Sequence, residues 1–441
     1  MSSVESSRET VSIARIAAGG DGVGKLSDGR TVFVPRTAPG DLVELNNLQL
    51  HGRFARARLL RVVEPGPGRT QPRCPHYEQD ECGGCQLQHL TNEHQLAAKR
   101  AIVGDALRRI GRLEVDDSEV EPSDREWGYR SKLTLAVAAA GRRIGLHRYD
   151  RPGELFDLTR CHIAAPALMD LWEEVRSHRG LLPAAAKTVV LRLDREGGRH
   201  LLVQVMGQRA WSEAQALHDR LAAQGKAATI WWSPEGGAPR VVAGAPTAYP
   251  ATVFEQVHPG LGDQIRRFAV DQLGEIADQH IWDLYAGIGE TSEMLTARGA
   301  KVESVEVDGR AVAAAERRHS VPADRVERHV GRAEHLVDRL RKPDMVITNP
   351  PRTGMDARVV DAIRGAGPRR VVYVSCDPAT LARDLARLTS PSALSDSSAL
   401  SDSSALSTPP ALPTYRLTAL RAFDLFPQTA HVESVALLEA V

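Results

Sequence analysis

Between residues 11 and 63, apolar and polar positions alternate in short runs broken by glycine. Val11-Ser-Ile13-Ala-Arg-Ile16 leads into Gly19-Gly-Asp-Gly22-Val-Gly24; Thr31–Val34, Leu42–Leu45 and Ala55–Val63 follow, with Ala38-Pro-Gly40 as a turn. Strands at this spacing predict a small β-barrel, because closure removes exposed edges. Pro65 to Pro72 then reads as a linker. From about residue 91 to 250 the periodicity changes repeatedly. Helices are predicted over His94–Arg112, Pro166–Arg179 and Trp211–Gln224, and strands over Lys132–Val137, Arg143–His147, Val189–Leu193, His200–Val205 and Ala228–Trp232. That mixture predicts an α+β unit. After residue 262 the rhythm becomes strand–helix–strand: strands at His280–Tyr285, Lys301–Glu306, Pro343–Thr348 and Arg369–Ser375, a helix through Arg298 and another at Gly309–Arg318. Alternation of this kind predicts a mainly parallel α/β sheet that binds ligands at the carboxyl ends of its strands. Thr418–Leu425 and His431–Leu438 are expected to close it as a strand pair. The reading gives three units, 1–65, 66–250 and 251–441. Within the last, Ser392-Ala-Leu-Ser-Asp-Ser397 repeats at Ser398 and restarts at Ser404, so 390–413 is expected to be a disordered surface insertion.

Composition adds little to this picture. The chain has 441 residues, 42% hydrophobic and 25% charged, and 56 basic residues balance 56 acidic ones. Only seven of the basic residues are Lys, so Arg, the better bidentate phosphate ligand, dominates. No run of 18 apolar residues occurs, which excludes a conventional membrane-spanning helix. The first residues lack the basic-then-apolar order of a secretory signal, so a cytoplasmic location is expected.

The chemistry-bearing residues are more informative. Five cysteines, an odd number in a chain expected to lack a secretory leader, argue for metal or thiol chemistry rather than disulfides. Cys74, Cys82 and Cys85 lie close together beside Pro and Gly, and Cys161 supplies a fourth thiol. Four thiolates suit a structural zinc or a [4Fe-4S] cluster, and spacing leaves both open. Trp282-Asp283-Leu-Tyr285-Ala-Gly287-Ile-Gly289-Glu290 is a strand, a Gly-x-Gly turn and a helix start. This is the pattern of a nucleotide or S-adenosylmethionine loop, with Glu306 at the next strand end to accept ribose hydroxyls. Thr348-Asn349-Pro-Pro-Arg352 ends a further strand and is expected to aim Asn349 at a ligand. In Tyr373-Val-Ser-Cys376-Asp-Pro-Ala-Thr380 a strand stops at a cysteine and a helix opens. A helix N-terminus lowers a thiol pKa, which marks Cys376 as a candidate nucleophile. Phe423-Asp-Leu-Phe-Pro427-Gln-Thr-Ala-His431-Val-Glu433 places Glu433 in an apolar strand, where a carboxylate is paired, exposed at an edge or functional.

Together these motifs resemble the S-adenosylmethionine-dependent RNA uracil-C5 methyltransferases, over nearly the whole chain. The resemblance implies a class I, Rossmann-like methyltransferase domain, an N-terminal OB-like barrel of the TRAM type that binds RNA, and an α+β central domain. It implies Cys376 as nucleophile and Glu433 as general base. It also implies that Gln256, Asp283, Tyr285, Gly287, Gly289, Glu290, Glu306 and Asn349 surround S-adenosylmethionine. Cys74, Cys82, Cys85 and Cys161 resemble the branch with a [4Fe-4S] cluster, which implies ribosomal 23S RNA as substrate, with transfer RNA as the alternative. The implied partner is RNA, with neither membrane nor protein partner, and the chain is expected to be monomeric. Three positions depart from the usual pattern: Asn349 replaces Asp, His258 replaces Asn, and Glu290 replaces Thr or Asn; the Cys74–Cys82 spacing is also long. Two competing readings are weighed. Asn349-Pro-Pro is similar to the motif of amino-methyltransferases, but those place an aromatic where Arg352 stands and need no cysteine. A non-catalytic RNA-binding iron–sulfur protein would not need Cys376, Glu433 and Gly287-x-Gly289 together.

Overall fold

The computed structural model describes residues 9–138, 143–245, 251–318, 322, 324–390 and 414–441. The expectation for the Ser-rich repeat falls, beyond Ser390, outside them. Strands β1 (Thr10–Ile16), β2 (Gly22–Lys25), β3 (Thr31–Val34), β4 (Leu42–Leu50) and β5 (Phe54–Glu64) form a closed barrel in the order β1-β2-β3-β5-β4. Alternate residues fill it: Val11, Ile13, Val32, Val34, Val43, Leu45, Ala55 and Ala57. The period-two pattern of the sequence is thus the inside and outside of one small barrel.

A short helix α1 (Pro75–Glu78) and a long one, α2 (Asn92–Arg109), follow, then β6 (Val120–Glu121). The central sheet holds β7 (Lys132–Val137), β8 (Ile144–His147) and β9 (Leu155–Asp157). After α3 (Pro166–Ser177) it continues with β10 (Ala186–Leu193) and β11 (Arg199–Val205), and after α4 (Ala214–Ala223) with β12 (Thr229–Ser233) and β13 (Arg240–Ala243). Its strand order is β13-β12-β11-β10-β7-β8-β9. Its core packs Trp172 of α3 and Leu217 and Leu221 of α4 against Leu135, Leu191, Val203 and Trp232.

The remaining elements build the third layer system. They are α5 (Pro259–Asp271), β14 (His280–Leu284), α6 (Glu290–Ala297), β15 (Lys301–Glu306), α7 (Gly309–Arg317), β16 (Val326–Val330), α8 (Ala333–Leu336), β17 (Met345–Thr348), α9 (Ala357–Ala366), β18 (Arg370–Ser375), α10 (Pro378–Thr389), β19 (Tyr415–Phe423) and β20 (Glu433–Ala440). The sheet order is β16-β15-β14-β17-β18-β20-β19-β6. Strands β14 to β18 are mutually parallel, and β20 enters antiparallel beside β18. Both faces are buried, which explains the unbroken apolar runs. Val371 and Tyr373 of β18 face α2, α9 and α10, whereas Val372 and Val374 face α5.

Two elements of the 66–250 stretch lie with this C-terminal sheet rather than the central one. Helix α2 packs Val103 and Leu107 into its core, and β6 pairs in parallel with the end of β19. The pattern of α2 marks a helix but not which sheet buries it. Strand β16, Val-Glu-Arg-His-Val, escaped the sequence reading because an exposed edge strand carries polar residues on both faces.

Lys99 of α2 is wholly buried and pairs with buried Asp424, just past β19; its ammonium also donates to Phe426 O at 3.0 Å. Burial lowers the Lys99 pKa, and the carboxylate opposes the shift. Removing one partner strands the other charge in the core. Lys99→Met is therefore expected to destabilise the protein by about 3–5 kcal/mol in denaturant unfolding. Adding Asp424→Leu should restore most of the loss, and a single variant as stable as wild type would refute the pairing.

Candidate active site and cysteine cluster

At the carboxyl ends of β14, β15, β17 and β18 lies a cleft of about 1120 Å³. Its walls include Asp283, Tyr285, Gly287 and Glu290 from the end of β14 and the start of α6, and Glu306 from β15. Asn349, Cys376 and Glu433 come from the ends of β17, β18 and β20, and Gln256 from the segment before α5. Of the residues expected to surround S-adenosylmethionine, Gly289 alone does not line the cleft. It sits one step behind, as the left-handed cap that starts α6. Tyr285, Gly287 and Gly289 all take positive φ (63°, 57° and 79°), and this sharp turn exposes backbone to the cleft. Glu306 holds the turn: one carboxylate oxygen accepts from Gly287 N at 2.9 Å and the other from Asp308 N at 2.8 Å. Asp283 is buried, accepts from Ser292 Oγ at 2.5 Å, and is pushed up to about 6 by burial.

Two of the unusual residues have structural work. Glu290 borders the cleft with its carboxylate engaged by Arg266, at 2.5 Å, and by Arg195 of the central unit. His258 caps α5, its Nδ1 accepting from Leu261 N at 3.4 Å, and stacks on Tyr129 with ring centroids 5.2 Å apart. Burial lowers its pKa and so favours the neutral ring that can accept this bond. Asn349 is exposed to the cleft, and its backbone N–H donates to Leu284 O at 3.2 Å.

Cys376 and Glu433 meet through sheet register. Ser375 of β18 pairs with Ser434 of β20, so one further step sets Cys376 opposite Glu433. Glu433 is completely buried, and its Oε2 has no hydrogen-bond partner. Burial pushes its pKa up to about 8, against the pull of the Arg352 guanidinium. The thiol is also raised, by burial first and then by the Glu433 charge, while Arg352 favours the thiolate through its charge and a hydrogen bond. This corrects the expectation that the α10 N-terminus depresses the thiol. Asp377 caps that helix and takes its N–H groups, accepting from Ala379 N at 3.0 Å and Thr380 N at 2.9 Å. The cation beside the sulfur is Arg352, whose part the sequence marks only by its place after two prolines. His431 also nears this group; burial and the positive charges of Arg352, Lys99 and Arg130 lower it to about 4, so it is neutral at pH 7.

The other four cysteines converge elsewhere. Cys74, Cys82, Cys85 and Cys161 are all unpaired. Cys74 and Cys85 pack with Tyr77, Tyr129 and Ile163, and Cys161 lies against the same cluster. The electrostatic influence of each of Cys74, Cys82 and Cys161 reaches Cys85. Burial raises all four thiols. Backbone N–H groups of His76, Tyr77 and His162 near Cys74 and of Ile163 and Ala164 near Cys161 oppose the shift, and Gly84 N donates to Cys82 Sγ at 3.4 Å. Donors aimed at sulfur stabilise thiolates, so this donor set fits a four-thiolate metal centre.

Known proteins agree with this architecture. A family profile described as tRNA (Uracil-5-)-methyltransferase matches residues 323–406, and one for the TRAM domain matches residues 4–60. An RNA methyltransferase of Gloeobacter violaceus, itself uncharacterized, is 32% identical over 98% of this chain and 96% of its own. A 23S rRNA (uracil(1939)-C(5))-methyltransferase of Thiobacillus denitrificans is 29% identical over 95% and 97%. The fold matches the crystal structure of the Pyrococcus abyssi tRNA (uracil-54, C5)-methyltransferase in complex with S-adenosyl-L-homocysteine. There the TM-score is 0.69 with 23% identity, over 97% of this chain and 99% of that one. Among the described residues no helix is long and apolar enough to cross a membrane. The chain belongs to the S-adenosylmethionine-dependent RNA uracil-C5 methyltransferases, with an N-terminal TRAM domain.

Proposed function

We propose that this enzyme methylates a uridine of 23S ribosomal RNA, with Cys376 as nucleophile and Glu433 as base. The observation that carries the catalytic part is the pairing of a thiol and a buried carboxylate across β18 and β20, with one arginine beside both. Uracil C5 is a poor nucleophile. Addition of the Cys376 thiolate to C6 moves the ring electrons onto the C4 oxygen, and the enolate that results attacks a methyl group through C5. S-adenosylmethionine supplies that methyl group. Glu433 then removes the C5 proton, the C5=C6 bond re-forms, and the thiolate leaves. A carboxylate raised to about 8 is a stronger base than an exposed one, and Arg352 opposes its full protonation. The target base reaches the cleft by flipping out of its stack.

Glu306 is assigned to the ribose hydroxyls, using the lone pairs left free by Gly287 and Asp308. Gln256, Tyr285 and Asn349 are assigned to the rest of the cofactor. Asp283, Gly287 and Glu290 are assigned to the loop wall that faces it, with Gly289 shaping the turn from behind. The four buried thiols are assigned to a [4Fe-4S] cluster. The 23S target rests on the sequence likeness to the Thiobacillus protein, together with this cysteine set. Transfer RNA is the alternative outcome of the test.

The test uses RNA from a strain lacking the gene. Wild-type protein should convert one uridine of 23S RNA to 5-methyluridine, mapped by mass spectrometry; methylation confined to transfer RNA would overturn the target. Cys376→Ala should lower the rate by at least about 10⁴-fold while RNA binding persists. Glu433→Gln should accumulate a denaturant-resistant RNA–protein adduct, and full turnover without adduct would remove Glu433 as the base.

The raised carboxylate also makes a stability prediction. Between the ordinary carboxylate value and about 8 the unfolded chain has released a proton that folded Glu433 keeps, so stability falls as pH rises through that window. Glu433→Gln lacks this titration. Its gain in melting temperature over wild type should be small at pH 5 and largest above pH 8; a pH-independent difference would show that Glu433 titrates normally.

For the metal, anaerobically purified protein should be brown and carry about four iron atoms per chain. Colourless protein with one zinc would overturn the cluster.

A further inference from the structure

We propose that Gln428 is a positioning residue through which the cysteine loop and α2 hold Glu433 opposite Cys376. The inference rests on the assignment of Glu433 as base. Because Glu433 Oε2 has no hydrogen-bond partner, that oxygen adds no tether of its own, and the backbone entering β20 carries the placement. That backbone is held from outside at Phe426, Pro427, Gln428 and Ala430. Gln428 is buried and left-handed, with φ of 70°, unusual for a residue with a side chain. Its carbonyl accepts from Gln86 N at 3.1 Å and Leu87 N at 3.0 Å, directly after Cys85. Its own N–H donates to Gln95 Oε1 at 2.9 Å, and its Oε1 accepts from Gln95 Nε2 at 3.0 Å. Gln95, on α2, is itself buried and donates also to Leu90 O.

The flanking residues repeat the arrangement. Tyr129, which packs beside Cys74 and Cys85, donates its hydroxyl to Pro427 O at 3.0 Å. Ala430 N donates to Gln86 Oε1 at 3.4 Å. The barrel abuts the same point: a Cβ on Gly20 would lie 2.5 Å from Gln86 Cβ, so glycine is required for the approach. Ile16 and Ala38 of the barrel share a small core with Leu87, Ala98 and Ala430. The barrel, the cysteine loop and α2 thus meet on Gln428 and Ala430, a few residues before Glu433. A clamp that only stiffened the fold would not need to grip the one segment leading to the proposed base.

The test is steady-state kinetics of full-length holoenzyme with a 23S RNA fragment. Gln95→Leu keeps volume but removes both bonds to Gln428. The expected result is a kcat lowered about tenfold, KM values for RNA and S-adenosylmethionine within twofold of wild type, and a larger fraction trapped as RNA adduct, because proton removal has slowed. Gln86→Ala should show the same signature more weakly, and it decides the matter if Gln95→Leu does not fold. Glu433→Gln is measured in parallel. If it traps adduct and neither glutamine variant does, the positioning role fails while the base stands. If it traps none, the base assignment fails and takes the clamp with it.

Discussion

The chemistry proposed for this enzyme depends on the register between two strands that run in opposite directions. In a parallel sheet every strand delivers its carboxyl end to the same edge, and loops at that edge form the binding cleft. An antiparallel strand brings its amino end there instead. Strand β20 does this beside β18, so the chain leaving one strand at Cys376 meets the chain entering the other at Glu433. A slip of one residue would turn Glu433 to the opposite face of the sheet. The register is fixed by packing on both sides. Tyr373, Ala436 and Leu438 lock into the layer of α2, α9 and α10, and Val372, Val374, Val435 and Leu437 into that of α5. Strand β19 then braces β20 along its whole length.

Holding a carboxylate in that position works against stability. Glu433 is buried with an orphaned oxygen, and the arginine beside it is shared with the thiol. Such a group persists only where the surroundings over-determine its place, which is why strained and desolvated groups mark functional sites. Here the over-determination is visible as a buried ion pair at Asp424 and a run of hydrogen bonds to the backbone carbonyls from Phe426 to Gln428, from side chains at the first two and backbone N–H groups at the third. All of them originate outside the sheet they stabilise.

What was legible in the sequence was whatever a strand end announces locally. Cys376, Glu306 and Asn349 each follow an apolar run, so their arrival at one cleft could be read from the βα rhythm, whereas the pattern left Glu433, at the start of an antiparallel strand, open and only the family resemblance assigned it. Long-range partnerships could not. Nothing in the text of α2 says that it buries Val103 and Leu107 against a sheet formed more than 150 residues later. The nearest helix N-terminus looked like the activator of Cys376, but Asp377 spends it on a cap, and the nearby cation comes from Arg352 on another loop. Glu290 and His258 looked like altered ligand contacts. Their first commitments are an ion-pair network and a helix cap, interactions that a linear motif does not encode.

These commitments give the cleft two walls with different supports. On the side proposed for the cofactor, Arg192 of β10 donates to Ala251 O at 2.8 Å and Val253 O at 2.6 Å and pairs with Glu255, next to Gln256. Arg195 reaches past it to Asp263, at 3.0 Å, and to Glu290. The central sheet therefore grips the segment that bears Gln256, whereas the cysteine loop and barrel grip the segment that bears Glu433. Tyr129 ties the two, stacking on His258 on one side and donating to Pro427 O on the other. Both grips therefore bear on one cleft, whose walls carry Gln256 on one side and the opposed Cys376 and Glu433 on the other.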